Sequence, residues 1–286
     1  MIEFLQQLNS WTALLFVVSS MLAMGMSQRF AEVVAPLKNP RFVLSALLVN
    51  FIVSPALALG LCRLIPLQSA HAIGLIILAC AAGAPFLPKL AEAAGGNVSY
   101  SVGLMVLQIV GSVLFMPLAL PLLVPGLEAD SWRIAKPLLL TMLMPLGFGF
   151  ALALIKAPWV ARLARLVERI SNLALVLVLI LLVGLNVEAM LGIFGSFAVA
   201  AFLLHVGGMV VVGYLLGGTE PTTRSVFALG AGQRNIVAAL VIAGTGFDGP
   251  AVAVMVLIAS LIALLPLLGV ARVMRGRLRA EPSAIH

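Results

Sequence analysis

The chain has 286 residues, of which 63% are hydrophobic and 9% charged, with a net charge of +7 and a mean hydropathy of +1.20. Soluble globular domains carry roughly 25% charged residues because a water-facing surface needs them, so these proportions exclude a soluble domain and make lipid the solvent. The basic excess needs no nucleic acid, since loops on the cytoplasmic side of a membrane protein produce the same sign.

An all-α polytopic membrane protein with about nine transmembrane helices is expected. The spans fall at roughly 8–27, 42–64, 71–93, 99–124, 136–155, 170–187, 193–216, 224–244 and 250–271, each about the 20 apolar residues a bilayer needs. A barrel does not fit, because its strands are short and alternate polar with apolar. Leu173 to Leu185 (LALVLVLILLVGL) does not alternate. The opening Met1 to Asn9 holds Glu3 but no Lys or Arg, so it lacks the basic n-region of a secretory signal and the first span is expected to be retained. Cys62 and Cys80 both sit in apolar segments and are read as buried small hydrophobes.

Charges between spans alternate. One set of connections carries Arg29, Lys38 and Arg41, then Lys156, Arg162, Arg165 and Arg169, then Arg224, then Arg272, Arg275, Arg277 and Arg279. These are 12 of the 17 basic residues. The other set has Arg63, Arg133 and Lys136 beside Glu3, Glu128, Asp130, Glu188 and Asp248. The positive-inside bias then puts the N-terminus outside and the C-terminus, with a tail over 273–286, in the cytoplasm of a cell-membrane protein.

Two basic residues, Lys89 and Arg234, remain inside predicted spans, and both of those spans look broken. The third reads LACAAGAPFLPKLAEAAGG from Leu78 to Gly96, with Gly83, Pro85 and Pro88 at its centre. The eighth reads FALGAGQRNIVAALVIAGTG from Phe227 to Gly246, with Gly230, Gly232, Gln233, Arg234 and Asn235 at its centre. Breakers at membrane depth are tolerated only where the freed backbone faces protein or a watery cavity. A shift of 149 positions lays Ala79, Ala82, Gly83, Ala94 and Gly95 on Ala228, Ala231, Gly232, Ala243 and Gly244; a shift of 155 lays Phe42 on Phe197 and Asn50 on His205. Copies five spans apart have opposite orientation, so inverted repeats are expected. Interrupted spans at matching places of such repeats point to a transporter's binding site.

With these segments in view, the sequence resembles the bile acid:sodium symporter family. The resemblance runs from about Trp11 to Arg272 and is carried by NPRFVLSALLVNFIVSPALA (Asn39–Ala58), CAAGAPF…GGNVSYSVG (Cys80–Gly103) and GAGQRNIVAAL (Gly230–Leu240). It implies the family's nine-helix form. A core domain (40–124 and 193–272) would hold the broken spans 3 and 8 where they cross, against a panel domain (8–28 and 135–190), with substrate bound between the two. It also implies partial carry-over of sodium ligands: Asn50 stands where sodium-coupled relatives have a polar amide, Gln233 matches their glutamine, and Ser101 matches a hydroxyl. Phe86-Leu87 replaces a Ser-Asn pair, Leu229 an acidic residue and Met105 a threonine. Sodium prefers hard oxygen ligands and most are missing, so no cofactor and sodium-independent or proton-linked operation are expected.

The candidate substrate-binding residues are Ala84, Pro85, Phe86, Pro88, Lys89, His205, Gln233, Arg234 and Asn235, with Asn50, Ser101 and Gln233 as the ion-binding set. A charge near the bilayer centre faces a cavity or a partner. Lys89 either pairs with Glu92 or snorkels, or else it joins Arg234 at the crossing and attracts a small organic anion. Gln233 and Asn235 either bind that anion or act as glue between helices. His205 and Asn50 are structural donors or, for His205, part of a proton relay. Cys80 leaves a metalloid carrier open, and Asn97-Val98-Ser99 is a sequon on the expected cytoplasmic side. No HExxH, GxSxG or P-loop occurs, and the only aspartates, Asp130 and Asp248, fall in connections, so an enzyme is not expected. The expectation is a secondary carrier of organic anions embedded in the lipid bilayer, with a channel-like or non-transporting ligand-binding protein as the alternative.

Overall fold

A computed structural model describes residues 2–124, 131–185, 187, 192–193, 196–245 and 251–280. Regular structure there is helical: α1 (Ile2–Ser27), α2 (Phe30–Leu37), α3 (Pro40–Leu64), α4 (Ser69–Cys80), α5 (Leu87–Ala94), α6 (Val98–Leu123), α7 (Ser131–Ala153), α8 (Pro158–Leu185), α9 (Ala198–Leu216), α10 (Pro221–Gly232), α11 (Ile236–Thr245) and α12 (Ala251–Ala280). Seven of these, α1, α3, α6, α7, α8, α9 and α12, are long and apolar enough to cross a membrane. The chain is a multi-pass helical membrane protein. Each region expected to hold the third and eighth spans contains two short helices instead of one long one, α4 with α5 and α10 with α11.

Several boundaries differ from expectation for one physical reason. Hydropathy reads only the part of a helix that lies in lipid, whereas the helix itself continues on good helix-formers. So α8 begins at Pro158, with Arg162, Arg165 and Arg169 on its first turns, and α12 runs on through Arg272, Arg275 and Arg277. The short α2 lies within what was read as a connection. Glu128, Asp130, Glu188 and Asp248, as well as Gly246 and residues 281–286, lie outside the described residues.

Two helices carry a single wide π turn, at Val49–Val53 in α3 and Leu139–Leu143 in α7. Each ends two residues before a proline, Pro55 or Pro145. A proline ring clashes with the carbonyl four residues back, here that of Phe51 or Thr141. Widening the turn moves that carbonyl aside, and the Ser54 and Met144 amides then reach back five residues, to Val49 and Leu139.

The basic connections converge on one end of the molecule. Gly103 near the start of α6 lies against Val33 and Pro36 of α2. Gly96 lies against Thr222 and Val226 of α10, and Gly95 against Arg275 and Leu278 of α12. Met26 at the end of α1 forms an apolar cluster with Val160 and Ala164 of α8.

Helix α1 packs on α7 and α8. Its contact with α7 is set by two facing glycines. A Cβ on Gly149 would lie 2.5 Å from the Leu22 carbonyl oxygen, and one on Gly25 would overlap that of Leu146. Gly149→Ala is therefore expected to destabilise the fold by about 2 kcal/mol through forced separation of the helices. Gly147→Ala, on the same helix with nothing within 4 Å of its Cβ position, is expected to leave stability unchanged. Thermal unfolding in detergent compares the two, and equal midpoints would refute the close approach.

Candidate functional site

Helix α4 stops at Cys80 and the chain runs non-helical to Phe86 before Pro88, near the start of α5, restarts it. Helix α10 stops at Gly232, and Gln233, Arg234 and Asn235 are non-helical before α11. The two gaps lie against each other. Ala82 and Arg234 form an antiparallel bridge, and the Asn235 amide donates to the Ala81 carbonyl at 2.8 Å. Gly83 has φ +84°, and a Cβ there would lie 2.5 Å from the Ile109 nitrogen on α6, so this close passage of backbone admits only glycine.

Freed backbone groups in an apolar interior need partners, and side chains from neighbouring helices supply them. Ser112 of α6 accepts from the Ala82 amide at 2.8 Å and lies 3.0 Å from the Ala82 carbonyl. Gln108, one turn earlier, donates to the Gly230 carbonyl at 3.0 Å. Asn235 donates to the Gly83 carbonyl at 2.9 Å and accepts from the Ala238 amide, capping α11. Ser54 of α3 donates to the Ala79 carbonyl at 2.8 Å.

Arg234 is 5% exposed. Its Nη1 donates to Ser54 Oγ at 3.1 Å and to the Ala79 carbonyl at 3.4 Å, and its Nη2 donates to Asn50 Oδ1 at 3.1 Å. Asn50 sits in the π turn of α3 and its own amide is held by the Ala46 carbonyl at 2.9 Å. All these partners are neutral, and among the described residues no carboxylate pairs with Arg234. A guanidinium has five N–H donors. Three are engaged here, which leaves Nε–H, with no partner, and one on Nη2. Nε–H lies on the edge by which an arginine binds a carboxylate bidentately together with Nη2.

His205 of α9 touches the same serine, its Nε2 being 3.2 Å from both Ser54 Oγ and the Ser54 carbonyl. A carbonyl only accepts, so Nε2 carries the proton. Nδ1 has no partner, and the ring stacks on Phe202. Gln233 is buried, with its Oε1 likewise unpartnered.

The structure thus brings Asn50, His205, Arg234 and Asn235 together around the gaps. Ala84 is buried there, while Pro85, Phe86 and Pro88 are half-buried. Lys89 stands apart from Arg234's hydrogen-bonding group: it is exposed on α5, with its ammonium 5.9 Å from the Phe86 ring centroid. It makes no ion pair with Glu92. Ser101 donates to the Val98 carbonyl within its own helix. Cys80 is fully buried and free, and Asn97 caps α6 by accepting from the Tyr100 amide. Sequence reading missed Ser54, Gln108 and Ser112. The signal available was the one used for Asn50: lone polar side chains in apolar spans, with Gln108 and Ser112 spaced four apart on one face.

Among curated proteins the chain is similar to the probable sodium/metabolite cotransporter BASS1 of Arabidopsis thaliana chloroplasts, 25% identical over 249 residues that cover 86% of this chain and 62% of the relative. It is also similar to the probable chloroplastic cotransporter BASS2 of Oryza sativa subsp. japonica, at 24% over 82% of this chain and 57% of the relative. The sodium-dependent transporter YocS of Bacillus subtilis, whose function is uncharacterised, is 25% identical over 71% of this chain and 62% of the relative. The chain therefore spans about three-fifths of the length of these relatives. The sequence profile of the sodium bile acid symporter family, a family of transporters and not of enzymes, matches residues 13–193, more than half of the chain. The chain belongs to the sodium bile acid symporter family.

Proposed function

We propose that the protein is a secondary carrier of small organic anions working by alternating access in the cell membrane, with its N-terminus outside and C-terminus in the cytoplasm. In this reading it makes nine membrane passages in two inverted repeats. The passages formed by α4 with α5 and α10 with α11 are broken helices that cross at the gaps, and the core domain (40–124 and 193–272) rocks against the panel domain (8–28 and 135–190). The observation that carries the substrate class is the buried Arg234 guanidinium, paired with no carboxylate among the described residues and with its Nε–H unspent. A fixed positive charge at membrane depth is costly, and an anion arriving there offsets the cost. Carboxylates and sulfonates fit the fork equally well. Gln233 and Lys89 are further candidate contacts for the anion.

The relatives named above include sodium cotransporters and a sodium-dependent transporter. Here Asn50 Oδ1, an oxygen of the kind sodium seeks, is already engaged by Arg234. We read the guanidinium as a tethered cation that removes the need for a dissolved one. In proteoliposomes, saturable uptake of a labelled carboxylate or sulfonate is expected to proceed equally in sodium and choline chloride. Neutral amide analogues of the same compounds are expected to be ignored. A strict sodium requirement would restore sodium symport. Binding without flux would make the protein a receptor or channel-like molecule, and equal uptake of neutral analogues would remove the anion reading.

A further inference from the structure

On the outer flank of the molecule a groove of about 450 Å³ runs between α9 and α12. Its floor and walls are apolar along most of its length, from Pro266 and Gly269 of α12 to Val210 of α9. Gly269 leaves open space: nothing lies within 4 Å of where its Cβ would be. Leu215 and Val273 on the rim are exposed.

The groove changes character at one end. Tyr214 and Arg277 close it there. The Arg224 guanidinium lies 5.1 Å from the Tyr214 ring centroid, held through Nε to the Gly218 carbonyl at 2.8 Å. Among the described residues neither arginine makes an ion pair. This is the end at which the basic connections converge. From Pro266 to Arg277 the helical rise is roughly 16 Å, which matches the roughly 15 Å of hydrocarbon in one leaflet. An apolar trough of one-leaflet length, ending in two uncompensated guanidinium groups at the headgroup level, has the dimensions and the charge of a phospholipid.

We propose that this groove is a specific binding site for an anionic glycerophospholipid, with an acyl chain lying along Gly269 and Pro266 and the phosphodiester between Arg277 and Arg224. The site is independent of the transport reading, since it shares no residue with the gaps. Because α9 carries His205 and α12 packs on α4, α5, α10 and α11, a lipid seated here bridges two helices that support the crossing.

The test uses the full chain purified in detergent, titrated with phosphatidylglycerol or phosphatidylcholine of identical acyl chains. Binding is read by native mass spectrometry and by the rise in unfolding temperature. Wild type is expected to prefer phosphatidylglycerol by about 20-fold, the contribution of two arginines at a headgroup, and Arg277→Gln to reduce that preference by about five-fold. Gly269→Leu, which fills the trough, is expected to abolish saturable binding of both lipids while leaving lipid-free unfolding unchanged. Equal affinity for the two lipids in wild type would overturn the proposal. So would a preference untouched by Arg277→Gln, which would assign it to the basic tail at large. An equal stabilisation by glycerol phosphate without acyl chains would make it a soluble-phosphate site and overturn it too. If Gly269→Leu does not accumulate, the exposed Arg277→Gln decides alone.

Discussion

Arg234→Gln is expected to lower the initial rate of anion uptake by about 100-fold or more, the effect of removing one partner from a desolvated charge pair. The protein is expected to remain folded. The Ala79 carbonyl keeps its bond from Ser54, and a buried charge that no carboxylate among the described residues pairs with has been removed. Arg234→Lys separates charge from geometry. An ammonium is a compact point charge that cannot span Asn50, Ser54 and the Ala79 carbonyl while presenting a fork to the substrate. Its rate is expected to lie between those of wild type and Arg234→Gln. Initial rates in proteoliposomes, paired with unfolding curves, check both. Uptake by Arg234→Gln at the wild-type rate would show that the guanidinium is structural only, and the anion reading would lose its support.

The second large effect concerns the backbone. Gly83→Ala is expected to lower the unfolding temperature by about 10 °C. The positive φ of +84° costs a residue with a Cβ about 1–2 kcal/mol. The overlap of that Cβ with the Ile109 backbone nitrogen adds an overpacking cost of about 1–3 kcal/mol. Two of the three nearest atoms, the Ile109 nitrogen and the Gln108 carbonyl carbon, are backbone and do not yield. Gly60→Ala, with no atom within 4 Å of the added carbon, serves as the control and is expected to be neutral. A Gly83→Ala protein as stable as wild type would mean that the gap after α4 does not pass so close to α6.

Much of this was legible in the sequence. The apolar runs of α3, α6 and α9 are long, so these three spans followed from hydropathy. The gaps followed from Gly83 with Pro85 and Pro88, and from Gly230 and Gly232 beside Gln233, Arg234 and Asn235. What was not legible depended on distance along the chain. Ser54 looks like an ordinary small polar residue before a proline until Arg234, 180 positions later, is found bonded to its hydroxyl. Gln108 and Ser112 are amphipathically placed on α6, yet only the fold shows that they face the ends of α10 and α4. Lys89 and Arg234 looked equivalent as charges within spans. The first turn of α5 points Lys89 out past Phe86, whereas the gap after α10 turns Arg234 inward, and local sequence does not encode that difference in direction.

The way the gaps satisfy each other also bears on how the chain is made. Ser112 reaches Ala82 across 30 residues, but the partner of the Gly83 carbonyl, Asn235, lies 152 residues further on. At a synthesis rate of about 5–20 residues per second, that carbonyl waits about 8–30 s for its partner to leave the ribosome. With α4 and α5 as one broken membrane passage, as proposed, the Gly83 carbonyl spends that interval without Asn235, which bare lipid does not permit. On that proposal, biogenesis of this fold calls for either a protected aqueous enclosure at the insertion machinery or late entry of the α4–α5 segment, after the C-terminal half has been delivered.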